Sequence, residues 1–176
     1  TGAGVGLALA GAGLSAPFAV VLGLALGAVG DFFLSRSGER AFLGGVAAFA
    51  AGHLAYAVEF LVPGVRPPGL PTLALCALAL STEVWLAPRT GRLRWPVRGY
   101  VVVITLMALA ALTLPLAAWP ALFGAFLFLF SDLLLALERF VVRRPAPKRL
   151  LGPLLWVAYW SGQALVLWGT LPGTGR

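Results

Sequence analysis

The chain has 176 residues, 60% hydrophobic and 11% charged, with 13 Lys plus Arg against 6 Asp plus Glu. Soluble domains carry about twice that share of charge, so a water-soluble globule of this size would have too few charges to cover its surface. The hydrophobicity also excludes a disordered chain. The single Cys excludes a disulfide scaffold, and the absence of a glycine period excludes collagen.

Charge-free runs at 1–30, 41–58, 67–82, 99–131 and 150–175 mark out the spans. They predict helices over 2–14, 17–35, 40–62, 70–87, 97–114, 119–139 and 150–171. The run at 99–131 is too long for one crossing, which needs about 20 residues. Leu114-Pro115 and Trp119-Pro120 divide it at a turn. The first helix is short and Gly-rich, begins at Thr1, and reads as the remainder of a longer N-terminal segment. No basic stretch marks it as a signal peptide. Short connections make neighbouring helices antiparallel, so residues 1–176 are expected to form one all-α, polytopic transmembrane bundle. The polar alternation of an outer-membrane barrel is missing.

Eleven of the thirteen cations fall after the second, fourth and sixth helices: Arg36 and Arg40, then Arg89, Arg92, Arg94 and Arg98, then Arg139, Arg143, Arg144, Lys148 and Arg149. Arg66 and Arg176 stand on the other side. Positive charge marks the cytoplasmic face, which puts these three loops inside the cell and the C-terminus outside. The net charge of +7 is thus a topology signal. No nucleic-acid motif accompanies it, and nucleic acid is not expected as a partner. An Arg-rich, Ala/Leu/Gly-rich chain fits a GC-rich bacterial genome and hence a bacterial cytoplasmic membrane.

Depth follows from the helix rise of 1.5 Å per residue. Asp31 and Glu83 lie roughly 6 Å inside the cytoplasmic ends of their helices, Asp132 roughly 10 Å and Tyr159 roughly 14 Å. His53 and Gln163 fall near mid-bilayer. Ionisable groups at such depths are functional by default. Asp31 follows Gly27-Ala28-Val29-Gly30, where small residues admit a close neighbour; Asp132 ends the apolar run Phe126–Ser131. A neutral carboxyl beside an ionised one is what acid–base catalysis needs. Structurally, Asp31 could instead pair with Arg36 or Arg40, Asp132 with Arg139, and Glu83 with Arg89. His53 and Tyr56 share one helix face, as do Trp156, Tyr159 and Gln163. Either set serves helix packing or ligand positioning. Ser131 caps a carbonyl one turn back or orients Asp132. No zinc motif, nucleophile elbow, Walker loop or dinucleotide fingerprint is present, and neither metal nor cofactor is expected.

Read in order, Gly30-Asp31-x-x-Leu34, Phe42-x-x-Gly45-x-x-x-Phe49-x-x-x-His53-x-x-Tyr56, Gly124-Ala125-x-x-Phe128-x-x-Ser131-Asp132-x-x-Leu135-Ala136 and Tyr159-x-x-Gly162-Gln163 resemble the YhhN/TMEM86 family. Its members are multi-pass lysoplasmalogenases. The resemblance runs from about residue 20 to 165. It implies eight helices, one more than the seven read here, with the extra one at the N-terminus. It also implies hydrolysis of the vinyl-ether bond of a lysophospholipid to a fatty aldehyde and a glycerophospho-alcohol. Asp31 and Asp132 then suit the acid and base, provided both face one chamber. His53, Tyr56, Glu83, Ser131, Tyr159 and Gln163 would surround the substrate, and basic residues at the rim (Arg36, Arg40, Arg89, Arg139) would hold its phosphate. A proton-coupled transporter or lipid-binding protein using the same carboxylates is the alternative. An intramembrane aspartyl protease is a more distant one.

Overall fold

A computed structural model describes residues 2–61, 65, 69–142 and 145–173, and the side chains of 2–3 and 145–149 lie outside that description. Seven α-helices account for nearly all of it: α1 (Gly2–Gly13), α2 (Phe18–Leu34), α3 (Glu39–Phe60), α4 (Gly69–Trp85), α5 (Arg94–Ala111), α6 (Trp119–Ala136) and α7 (Pro145–Thr170). The chain breaks where its prolines require it. Pro17 precedes α2, and Pro115 ends the turn after α5. Pro120 sits in the first turn of α6, where its missing N–H costs nothing. α7 starts at Pro145, a turn and a half before the expected residue 150.

Five segments are long and apolar enough to cross a membrane: Glu39–Phe60, Gly69–Arg89, Gly91–Ala111, Leu116–Val141 and Leu150–Thr170. At 17 residues, α2 extends only about 25 Å. Of the cations used for topology, Arg66, Arg143, Arg144 and Arg176 lie outside the described residues. The side chains of Lys148 and Arg149 do as well. Arg36, Arg40, Arg89, Arg92, Arg94 and Arg139 all sit in or beside the three connections at one end of the bundle.

Lipid tails are as apolar as Leu, so helices in a bilayer associate by close packing of small residues. Glycines do this here. Along α2, Gly23 faces the Tyr56 ring, Gly27 the Gln163 amide and Tyr159 hydroxyl, and Gly30 the Phe49 ring. A Cβ on Gly124 would stand 2.7 Å from the Gly162 carbonyl oxygen, and one on Gly162 would stand 3.0 Å from that of Gly124. Accordingly α2 lies against α1, α3 and α7, α6 against α7, and α5 between α3 and α6. Phe49, Tyr56, Phe60, Met107, Phe128 and Val166 fill the centre. At the end away from the basic connections, Thr113 donates to the Phe60 carbonyl at 3.0 Å, tying α5 to α3. The outer helix is α4. It packs on α5, and Leu70, Leu73, Leu80 and Val84 are each more than two-thirds exposed.

Candidate active site

Near the basic end, α3, α4, α5 and α6 enclose a cavity of about 100 Å³. Its walls include Phe42 and Phe49 of α3, Leu78 of α4, Tyr100 and Ile104 of α5, and Asp132 of α6. Asp132 is the one charged residue among those lining it. An apolar chamber with a single convergent polar cluster is the usual form of a small-molecule site.

The cluster is built around one carboxylate oxygen. Tyr100, in the second turn of α5, donates its hydroxyl to Asp132 Oδ2 at 2.6 Å. His53 Nε2 stands 3.6 Å from the same oxygen. His53 is fully buried, edge-on to Phe128 at 4.6 Å and to Tyr100 at 5.5 Å. Its Nδ1 lies 2.5 Å from the Phe49 carbonyl oxygen. A carbonyl only accepts, so Nδ1 carries a hydrogen and donates it. Nε2 is left facing Asp132. At 3.6 Å the two atoms are not hydrogen-bonded, and Nε2 is a buried nitrogen with no hydrogen-bond partner among the described residues.

A second polar group forms where α2, α3 and α7 meet. Tyr159 donates to Asp31 Oδ2 at 3.2 Å, and Tyr56 donates to Gln163 Oε1 at 3.2 Å. Gly27 leaves room for the Gln163 and Tyr159 termini against α2. Phe128 touches both groups, edge-on to His53 and, at 5.2 Å, to Tyr159. Phe49 packs on Tyr159 at 5.8 Å and also lines the cavity. Asp31 is not among the cavity-lining residues.

The chain matches the sequence profile of the YhhN family over residues 5–170. It belongs to the YhhN family. Lysoplasmalogenase TMEM86A of Bos taurus is 35% identical over 157 residues, covering 84% of this chain and 62% of that protein. The Homo sapiens protein of the same name is 34% identical, covering 79% of this chain and 61% of that protein. A lysoplasmalogenase of Mycobacterium tuberculosis is 29% identical, covering 85% of this chain and 59% of that protein. The chain thus spans about three-fifths of the length of these relatives. No solved structure matches it significantly. With its apolar helices, this YhhN chain is an integral membrane protein.

The family motifs converge only in part. Asp132, His53 and the Phe49 carbonyl form one centre, while Asp31, Tyr159, Gln163 and Tyr56 lie on the α2–α7 side. Asp132 lines the cavity and Asp31 does not; Tyr159 reaches Asp31 from α7. Glu83 does not join them either. It is on the outer face of α4, where Arg98, rather than Arg89, holds it through a two-pronged ion pair. Ser131 donates to the Phe128 carbonyl at 2.8 Å, a bond within its own helix. Trp156 is exposed and leaves the inward face of α7 to Tyr159 and Gln163. Arg36 lies over Phe32, and Arg139 over Phe42. Neither cation pairs with the acid expected for it: Asp132 bonds to Tyr100, and Asp31 to Tyr159. Tyr100 escapes sequence reasoning. A Tyr two residues from Arg98 reads as an interfacial anchor, and only the rotation of α5 against α6 turns it inward.

Proposed function

We propose that this YhhN chain hydrolyses the vinyl-ether bond of lysoplasmalogen-type lysophospholipids, with proton transfer at Asp132. The observation that carries the reading is a lone carboxyl in an apolar chamber, bonded to Tyr100 and facing His53. The activity for which the relatives are named supports it. A vinyl ether resists base but yields to protonation at its β-carbon. The proton held by the His53–Asp132 pair passes to that carbon, and the electron pair of the double bond forms the new C–H bond. The resulting oxocarbenium ion lies beside the Asp132 carboxylate, which stabilises it and then accepts a proton from the attacking water. The hemiacetal collapses to a fatty aldehyde and a glycerophospho-alcohol. One carboxyl therefore serves as acid and then as base, and the chemistry asks only for a proton and water.

Asp31 acts at a remove on this reading. It fixes Tyr159, whose ring supports Phe128 and Phe49, the aromatic layer against which His53 packs. The basic end of the bundle faces the cytoplasm, so substrate in the inner leaflet meets the chamber.

The test uses the purified full chain in detergent with lysoplasmalogen, following aldehyde release. Wild type releases aldehyde in step with the glycerophospho-alcohol. Tyr100→Phe loses a hydrogen bond to a charged group, and kcat falls about tenfold or more while KM stays near that of wild type. Absence of aldehyde from wild-type protein across choline and ethanolamine head groups would overturn the reading.

A further inference from the structure

At the basic end, Arg139 lies over a ring that lines the cavity. At the end of α6 the helix widens into a five-residue π-turn, Leu137–Val141, a distortion that often marks functional sites. The turn presents two consecutive side chains to α3. Phe140 packs edge-on against Phe42 at 5.9 Å, and the Arg139 guanidinium lies over the Phe42 ring at 5.4 Å. Both rings line the cavity that holds Asp132.

Three other arginines at this end make recorded contacts away from the cavity. Arg89 bonds the Trp85 carbonyl, and Arg98 pairs with Glu83. Arg36 lies over Phe32, which does not line the cavity. Arg139 is exposed, and no carboxylate among the described residues pairs with it. Stacking on an aromatic face pre-orients a guanidinium and leaves its N–H edge free for a two-pronged bond to phosphate.

Arg139 follows Asp132 by seven positions, about 10 Å along the helix. In a lysophospholipid a single glycerol separates the ether oxygen from the phosphate. We infer that Arg139, posed on Phe42 by the π-turn, binds the lipid phosphate and sets the substrate's register against Asp132. Phosphate-free alkenylglycerols are the weaker ligands. The inference rests on the proposed hydrolysis only for its orientation, because phosphate binding can be read without turnover.

The probes are a saturated 1-O-alkyl lysophosphocholine, which cannot be cleaved, and the matching 1-O-alkylglycerol. Each is titrated into the full chain in detergent by calorimetry. Wild type prefers the phosphate-bearing probe by about tenfold or more, the scale of one charge-assisted contact. In Arg139→Gln the preference falls to near unity, and Arg139→Lys, lacking the planar fork, restores only part of it. Residual alkylglycerol binding shows that the variants remain folded. Equal binding of both probes to wild type, or a preference that survives Arg139→Gln, would overturn the assignment. Displacement by inorganic phosphate at lipid-like concentration would also overturn it, since the site would then hold a free anion. A phosphate preference that depends on Arg139, in a protein that releases no aldehyde, would uphold the binding site and defeat the hydrolytic reading.

Discussion

Asp132→Asn lowers aldehyde release from lysoplasmalogen by about 10²–10⁴-fold, the contribution of a positioned general acid and base, in a protein that still folds. The carboxamide has the shape of the carboxyl, and its oxygen still accepts the Tyr100 hydrogen bond that now reaches Oδ2 at 2.6 Å. It cannot give a proton to carbon or take one from water. Binding survives because the chamber is otherwise apolar, so the loss falls on kcat. Asp31→Asn separates the one-carboxyl cycle from a paired-carboxylate mechanism. Asp31 is held by Tyr159 on the α2–α7 side, and its amide keeps that bond, so the variant retains at least about a tenth of wild-type kcat on the scale of a single neutral hydrogen bond. Equal losses in the two variants, measured as initial rates in protein with unchanged thermal melting, would favour the paired mechanism.

The largest effect on stability is expected at the α6–α7 contact. A methyl group on Gly124 would lie 2.7 Å from the Gly162 oxygen and 2.8 Å from the Val166 nitrogen. Both are backbone atoms of α7, which no side-chain rotation can move aside. Gly124→Ala therefore separates the helices and costs about 1–3 kcal/mol, the range for overpacking a well-packed core. Gly124→Leu is expected to leave no folded protein in detergent. Gly6→Ala is the control. Nothing lies within 4 Å of its would-be Cβ, and Ala in place of Gly in a helix is favoured by roughly 0.5–1 kcal/mol. Thermal melting in one detergent reads Gly124→Ala and Gly6→Ala, and the yield of folded protein reads Gly124→Leu. An unchanged melt for Gly124→Ala would mean that α6 and α7 do not approach this closely.

Rise per residue and proline chemistry explain why most helix bounds could be read from the sequence. The turn at Pro115, the break before Trp119 and the seven-helix count all follow from them. Charge counts alone brought Asp31 and Asp132 to the basic end of the bundle. Rotation about each helix axis is different in kind, because contacts between helices set it. The sequence displays Gly23, Gly27 and Gly30 as a stripe but does not say that Tyr56, Gln163 and Phe49 fill it. Those contacts bring Tyr159 of α7 to Asp31, which does not line the cavity that holds Asp132. Depth likewise assigned Glu83 to the layer of the two aspartates, but α4 is the outer helix and Glu83 is tied to Arg98. The π-turn that presents Arg139 and Phe140 to Phe42 leaves no mark in the hydrophobic period.

In the proposed reaction a proton reaches carbon from the His53–Asp132 pair. Turnover of lysoplasmalogen by the full chain in deuterium oxide, with mass analysis of aldehyde trapped as it forms, tests it most directly. A single solvent deuterium is expected on the carbon next to the aldehyde carbonyl, formed at a rate that collapses in Asp132→Asn. Aldehyde free of solvent deuterium, or labelled aldehyde released undiminished by Asp132→Asn, would contradict it.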